Sequence, residues 1–189
     1  MTETLRMTSD AELIAGARSG EAAAFGEIVD RHKDALVGYL YRMVGNRERA
    51  EDVAQEAFLR LFQRSRHYQE RGQLKAYLFR IATNLVRSEE RRAFRWDRIR
   101  SFLRPGLDAS PPQERELLET ELQRELLQAI AALPVRYRAP LVLREIDGWR
   151  YRAISEALGC SEGTVKSRIH RGRSLLRQRL SHYWQGATS

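Results

Sequence analysis

The stretch from Trp149 to Leu180, WRYRAISEALGCSEGTVKSRIHRGRSLLRQRL, limits the fold of this chain more than any other. Its first part, Trp149 to Leu158, predicts a short amphipathic helix with Ile154 and Leu158 on one face. Gly159 suits the left-handed position that ends a helix, where a Cβ is penalised. Ser161 is a good N-cap, its hydroxyl placed near the free amides of the next turn. The second helix carries Val165, Ile169, Gly172 and Leu176 at spacings of four, three and four, which makes one apolar stripe. Its other surface presents Lys166, Ser167, His170, Arg171 and Ser174. Two helices joined by a short glycine-containing turn, the second basic outside, describe a DNA-reading helix-turn-helix.

The rest of the chain also reads as helix. Residues 1–8 are expected to fray, and Ser9 or Asp10 caps a short helix, AELIAGARSG, stopped by Gly20. A long helix follows from Glu21 to Val44, with Phe25, Ile28, Val29, His32, Leu36, Tyr39, Leu40 and Met43 recurring at threes and fours. The third runs from Arg47 to Arg66, with Val53, Ala54, Ala57, Phe58, Leu61 and Phe62 as its buried stripe. The fourth runs from Gln73 to Arg95 on Leu74, Tyr77, Leu78, Ile81 and Leu85. No stretch alternates as a half-buried strand does. Pro105-Gly106 and Pro111-Pro112 mark Trp96 to Gln113 as a flexible linker. Helices resume from Glu114 to Leu133 and from Arg136 to Ile146, and the second domain extends to Trp184. The expectation is an all-α chain of two small helical domains, residues 1–95 and 114–189, joined by linker 96–113.

Charge narrows the partners. The net charge is +8, and it is concentrated: thirteen Lys/Arg against four Asp/Glu from Arg60 to Arg104, and six against one from Gly159 to His182. Two basic zones, separated by the acidic Glu114 to Glu125, point to two contacts with a polyanion such as nucleic acid. No run approaches the roughly 18 apolar residues of a membrane span, so no direct membrane insertion is expected. No signal-peptide pattern opens the chain, so it is expected to stay in the cytoplasm. The single cysteine, Cys160, excludes an internal disulfide and reads as a tolerated small side chain in the turn.

An enzyme needs a constellation of reactive groups, and none is legible. His32, His67, His170 and His182 show no metal-ligand spacing, and no glycine loop could cradle a phosphate. No metal or other cofactor is therefore expected. Glu89-Glu90 reads as solvated charge among arginines, and His32 as a core or boundary histidine. Asp52, Gln55 and Glu56, bordered by Phe58 and Leu59, are either an ordinary solvated face or a docking surface for a partner helix. Periodicity leaves that choice open. Arg80, Thr83, Asn84, Arg87, Arg91, Arg92 and Arg95 give the fourth helix a basic, amide-bearing side near Tyr68, Tyr77 and Phe79. Cations track phosphates and aromatics stack on unpaired bases, so this side suits opened DNA, though Tyr77 falls on the apolar stripe.

Four segments carry a family resemblance: YRMVGNRERAEDVAQEAF (Tyr41–Phe58), AYLFRIATNLVRSEERR (Ala76–Arg92), LPVRYRAPLVLREIDG (Leu133–Gly148) and SEGTVKSRIHRGRSLLRQRL (Ser161–Leu180). In this order, and with a linker between the second and third, the chain resembles bacterial sigma factors of the extracytoplasmic-function (ECF) group of the sigma-70 family. The resemblance implies a non-enzymatic promoter-specificity subunit with region 2 and region 4 bound to core RNA polymerase. It implies that Asp52, Gln55, Glu56 and Phe58, with Leu59 beside them, dock on the β′ clamp coiled coil. It implies that the fourth helix reads and melts the minus-ten element, with Asn84 lining the pocket of a flipped-out base. In the second helix of the helix-turn-helix it implies that Lys166, Ser167, His170 and Arg171 face bases of the minus-thirty-five element, while Arg168 and Arg173 grip phosphates. Region 4 is expected on the β flap, and an anti-sigma factor is expected to cover these surfaces.

The chain departs from the pattern at Tyr77, where Trp is usual, and at Leu74, where Phe is usual. An aromatic face persists at Tyr77, so melting is expected to survive. The resemblance also carries the expectation of no long amino-terminal region and no sensing module after His182. Two rival readings compete. A stand-alone regulator would leave the Asp52–Phe58 signature without a task. A DNA-rearranging enzyme would need a nucleophilic Ser or Tyr among arginines, or a carboxylate trio, and Tyr77 and Tyr151 lie on packing faces.

Overall fold

Local chemistry at the helix ends sets the element order. Ser9 forms a capping box, its hydroxyl accepting from the Glu12 amide while Glu12 accepts from the Ser9 backbone. Asn46 and Ser161 cap later helices by accepting from the amides of Arg49 and Thr164. Gly20, Gly45 and Gly159 stop helices at φ of 92°, 71° and 63°, a region that penalises any Cβ. In the computed structural model, which describes residues 9–68, 72–103 and 121–181, eight helices result. They are α1 (Asp10–Ser19), α2 (Ala22–Val44), α3 (Arg47–Arg64), α4 (Leu74–Leu103), α5 (Glu121–Ala131), α6 (Val135–Glu145), α7 (Tyr151–Leu158) and α8 (Glu162–Arg179). No strand occurs among the described residues, and no helix there is long and apolar enough to cross a membrane.

The first four helices bury the stripes that their periodicity predicts. Ile28, Leu36, Leu40 and Met43 of α2 meet Ala50, Ala57 and Leu61 of α3 and Leu78, Ala82 and Val86 of α4, all fully buried. Each such large apolar side chain stabilises the bundle by roughly 1.5–3 kcal/mol. In the second group α8 lies along α6, with Val165, Ile169 and Gly172 inward. A Cβ on Gly172 would stand 3.2 Å from the Tyr137 carbonyl oxygen, so glycine here sets how closely α8 approaches α6. The two groups also pack on each other, chiefly through α4 and α7.

Several expectations need correction. Helix α4 continues to Leu103, so the segment from Trp96 to Leu103 is helix and not linker. Phe62 is 47% exposed and meets Phe25 edge-on at 5.0 Å, so it leaves the buried stripe. Glu89 and Glu90 are not merely solvated: Glu89 pairs with Arg49 at 3.0 Å, and Glu90 pairs with Arg138. The expectations of fraying at 1–8, a linker over 104–113, a helix start at 114–120 and a domain end at 182–184 fall on residues outside those described.

His32 is a core histidine, as expected, with Asp10 Oδ2 3.7 Å from its Nε2. Burial holds its pKa below the ordinary 6.5, with Lys75 and Arg31 adding to the effect, although Asp10 opposes them. Below 6.5 the unfolded chain therefore binds more protons than the folded one, and stability falls as pH drops through that window. Melting temperature measured from about pH 7 to about pH 5 should fall, and His32→Gln should flatten the slope.

Candidate nucleic-acid and partner interfaces

The stripe on α3 is built by helical spacing. Asp52, Gln55, Glu56, Leu59 and Phe62 succeed one another at three, one, three and three, and so share one side. Asp52 and Gln55 are exposed, Glu56 is half-exposed and paired with Arg60 at 2.7 Å, and Leu59 is 49% exposed. The result is an acidic patch running into an apolar one on a basic chain. Phe58 does not belong to it. At 7% exposure it packs inward, so a role in direct docking is corrected to one in the core that supports the stripe. Phe62, expected in the buried stripe, belongs here instead, three residues on from Leu59 at the same spacing.

On α4 the outward side carries Arg80, Asn84, Arg87, Arg91, Arg92 and Arg95. Asn84 is exposed, and Arg87 donates to its Oδ1 at 3.3 Å, so the amide is oriented by a cation beside it. At the start of this side Tyr68 and Tyr77 stack at 4.5 Å with their planes 19° apart. Tyr77 thus offers a half-exposed aromatic beside the cations. Arg80 is half-buried and donates to the Glu156 carbonyl in α7.

Thr83 is the clear exception on this helix. It is 1% exposed and its Oγ1 donates to the Phe79 carbonyl at 2.7 Å. Its proton being so used, it accepts from the Tyr39 hydroxyl at 2.8 Å. Burial pushes the Tyr39 phenol far above its ordinary pKa, so that group is a neutral donor. The expected contact of Thr83 with DNA is therefore corrected: it is a buried acceptor. Thr83→Val should cost about 1–3 kcal/mol in chemical denaturation by stranding the Tyr39 hydroxyl. DNA affinity measured below the melting transition should not change.

In the helix-turn-helix, Lys166, Ser167, His170 and Arg171 are all exposed on one side of α8. Lys166 Nζ lies 5.5 Å from the Tyr151 ring centroid and Arg144 4.7 Å from it, a cation–π cluster that fixes Lys166 at the helix start. Arg168 is half-buried with its Nη1 3.6 Å from Cys160 Sγ, which gives Cys160 a packing role. Arg173 is held by Glu145 at 2.7 Å. Behind this helix, Leu126, Ile130, Leu141, Val142, Ile146, Leu176 and Leu180 line an apolar groove of about 360 Å³. Glu145, Arg173 and Arg177 form its charged rim. The groove was not foreseen, because its walls come from three helices. Among the described residues no group of His, Cys, Asp and Glu is arranged to hold a metal ion.

Family models match the chain twice: Sigma-70 region 2 over residues 28–95, and Sigma-70, region 4 over residues 123–176. The chain is 37% identical over 177 residues to the ECF RNA polymerase sigma factor SigE of Mycolicibacterium smegmatis, covering 87% of this chain and 66% of SigE. It is 35% identical over 173 residues to the ECF RNA polymerase sigma factor SigW of Bacillus subtilis, covering 86% of this chain and 92% of SigW. Its fold resembles that of the sigma factor RpoE in complex with the anti-sigma factor NepR from Bartonella quintana. There the TM-score is 0.67 at 22% identity, over 83% of this chain and 96% of the other.

Proposed function

The chain belongs to the ECF group of the sigma-70 family of RNA polymerase sigma factors, and on that premise we propose how its faces divide the work. A sigma factor binds core RNA polymerase and directs promoter-specific initiation. Here residues 1–95 act as region 2 and residues 114–189 as region 4. The stripe Asp52, Gln55, Glu56 and Leu59, extended by Phe62 and backed by Phe58, docks on the β′ clamp coiled coil. Carboxylates meet arginines there, and the apolar end excludes water from the pairs. The groove behind α8 seats an apolar helix of the β flap.

Asn84, Arg87, Arg91 and Arg92 follow the opened minus-ten strand, and Arg80 joins them once it leaves Glu156. The Tyr68–Tyr77 stack offers a platform to an unpaired base. Lys166, Ser167, His170 and Arg171 read the minus-thirty-five element in the major groove, while Arg168 and Arg173 grip phosphates. The protein acts in the cytoplasm beside the polymerase and itself catalyses nothing. An anti-sigma factor covers these faces when the protein is idle, a partner supported by the complex in which its structural neighbour was solved.

The observation that carries this reading is the acidic-apolar stripe, which binding to DNA alone gives no task. Run-off transcription with purified core polymerase tests it: the chain should direct start-specific transcripts from candidate promoters. Absence of any such transcript would overturn the reading. Arg171→Ala should reduce discrimination at one minus-thirty-five position by about 1–3 kcal/mol and leave core affinity intact.

A further inference from the structure

Among the residues that α8 turns towards DNA are four cations, Lys166, Arg168, Arg171 and Arg173, and a carboxylate meets only the last. Arg173 Nη2 donates to Glu145, the final residue of α6, at 2.7 Å. Lys166 lies by the Tyr151 ring instead, Arg168 reaches Cys160 Sγ, and Arg171 stands exposed. The acid therefore comes from a neighbouring helix to one particular guanidinium.

Arg173 follows Lys166 by seven residues, which is two turns along the same side of α8 and about 10.5 Å further on. A recognition helix touches base edges near its N-terminus, so a cation that far along is placed to meet the sugar-phosphate backbone. A phosphate arriving there finds the Nη2 donor engaged. Carboxylate and phosphate bind the guanidinium fork in the same way, and two anions at one fork repel each other.

Stability gives Glu145 little reason to be acidic. It sits at the C-terminal end of α6, where unpaired carbonyls are negative and a carboxylate is disfavoured. Glu145 and Arg173 are 38% and 52% exposed, so water screens the pair and the fold gains little from it. A hold that weak is one a phosphate can displace.

We propose that Glu145 sets the DNA affinity of α8: it occupies Arg173 in the free chain, and a backbone phosphate must displace it. This role rests on the reading of α8 as the DNA-facing helix, but phosphate contacts carry no sequence information, so any duplex reports on it. Fluorescence anisotropy of a labelled duplex, titrated with the full chain at about 50 mM salt, measures the affinity. Glu145→Gln should bind about three- to tenfold more tightly than the wild-type chain. Arg173→Ala should cost the wild-type chain less than about twofold, yet remove the whole gain from the Glu145→Gln chain. Because an amide oxygen can still accept from Arg173, Glu145→Ala should gain at least as much. Both side chains are exposed, so helical circular dichroism should not change.

Affinities of Glu145→Gln and Glu145→Ala equal to that of wild type would overturn this role. So would a gain that survives Arg173→Ala, since loss of any acid beside DNA would explain it. Weaker binding by Glu145→Gln would overturn it too, and would make Glu145 an aid to the phosphate contact. An Arg173-dependent gain in a chain with no preference for any minus-thirty-five sequence would support the role and overturn the promoter reading. Absence of duplex binding by every variant would overturn both.

Discussion

Replacing Asp52 by Ala and Leu59 by Asp together should lower affinity for core polymerase by about a hundredfold or more. Removing a carboxylate that meets an arginine at a desolvated interface costs about 2–5 kcal/mol, and a charge at an apolar anchor adds to that. Both residues are exposed in the free chain, so its helicity and melting temperature should not move. Its affinity for a duplex minus-thirty-five site should stay within about twofold, because α8 lies in the other module. Phe58→Ala supplies the contrast. That side chain is 7% exposed, and its truncation should cost about 3–5 kcal/mol of stability. Core-binding competition, paired with thermal melts, separates the two classes. A folded Phe58→Ala chain that fails to bind core, beside a Leu59→Asp chain that binds normally, would show that the stripe has been placed on the wrong side of α3.

The contrast shows where the sequence was legible. Features set within one or two turns were readable: the Ser9 and Ser161 caps, the stops at Gly20, Gly45 and Gly159, and the stripe of α8. The continuation of α4 past Arg95 was readable too, though the helix was expected to stop there. Trp96 to Leu103 contains no proline or glycine, and the first breaker is Pro105. Nothing in that segment breaks a helix, and α4 runs on through Leu103. Phe62 was likewise in reach of spacing alone. Thr83 was not, because its role depends on Tyr39, 44 residues away. Arg80, Glu90 and Asp147 were beyond reach for the same reason: each is defined by a partner in the other module. At Asp147 burial pushes the carboxyl up even with Arg42 beside it, so desolvation outweighs the ion pair. Polar residues on a helix surface look alike in sequence until a second module covers some of them.

Arg138 is the strongest case of such cover, and its truncation should be the most destabilising single change where the two groups of helices meet. It is 2% exposed, and one guanidinium joins the Ala131 carbonyl at the end of α5 to Glu90 on α4. Arg138→Ala leaves a void where the stem packed and strands the Ala131 carbonyl, at a cost of about 2–4 kcal/mol. In a chain of this length that lowers the melting temperature by about 5–15 °C. Glu90→Gln keeps an oxygen that accepts from Arg138 and leaves the packing intact, but it removes the counter-charge of a buried guanidinium, so it should cost about 1–2 kcal/mol, less than Arg138→Ala. Arg138→Met refills the volume without the charge, and should recover about half of the loss, since a buried ion pair adds little beyond its packing. The ranking Ala, then Met, then the Glu90 variant in denaturant midpoint would assign the stability to packing and carbonyl satisfaction. Equal losses for Arg138→Ala and Glu90→Gln would assign it to the ion pair.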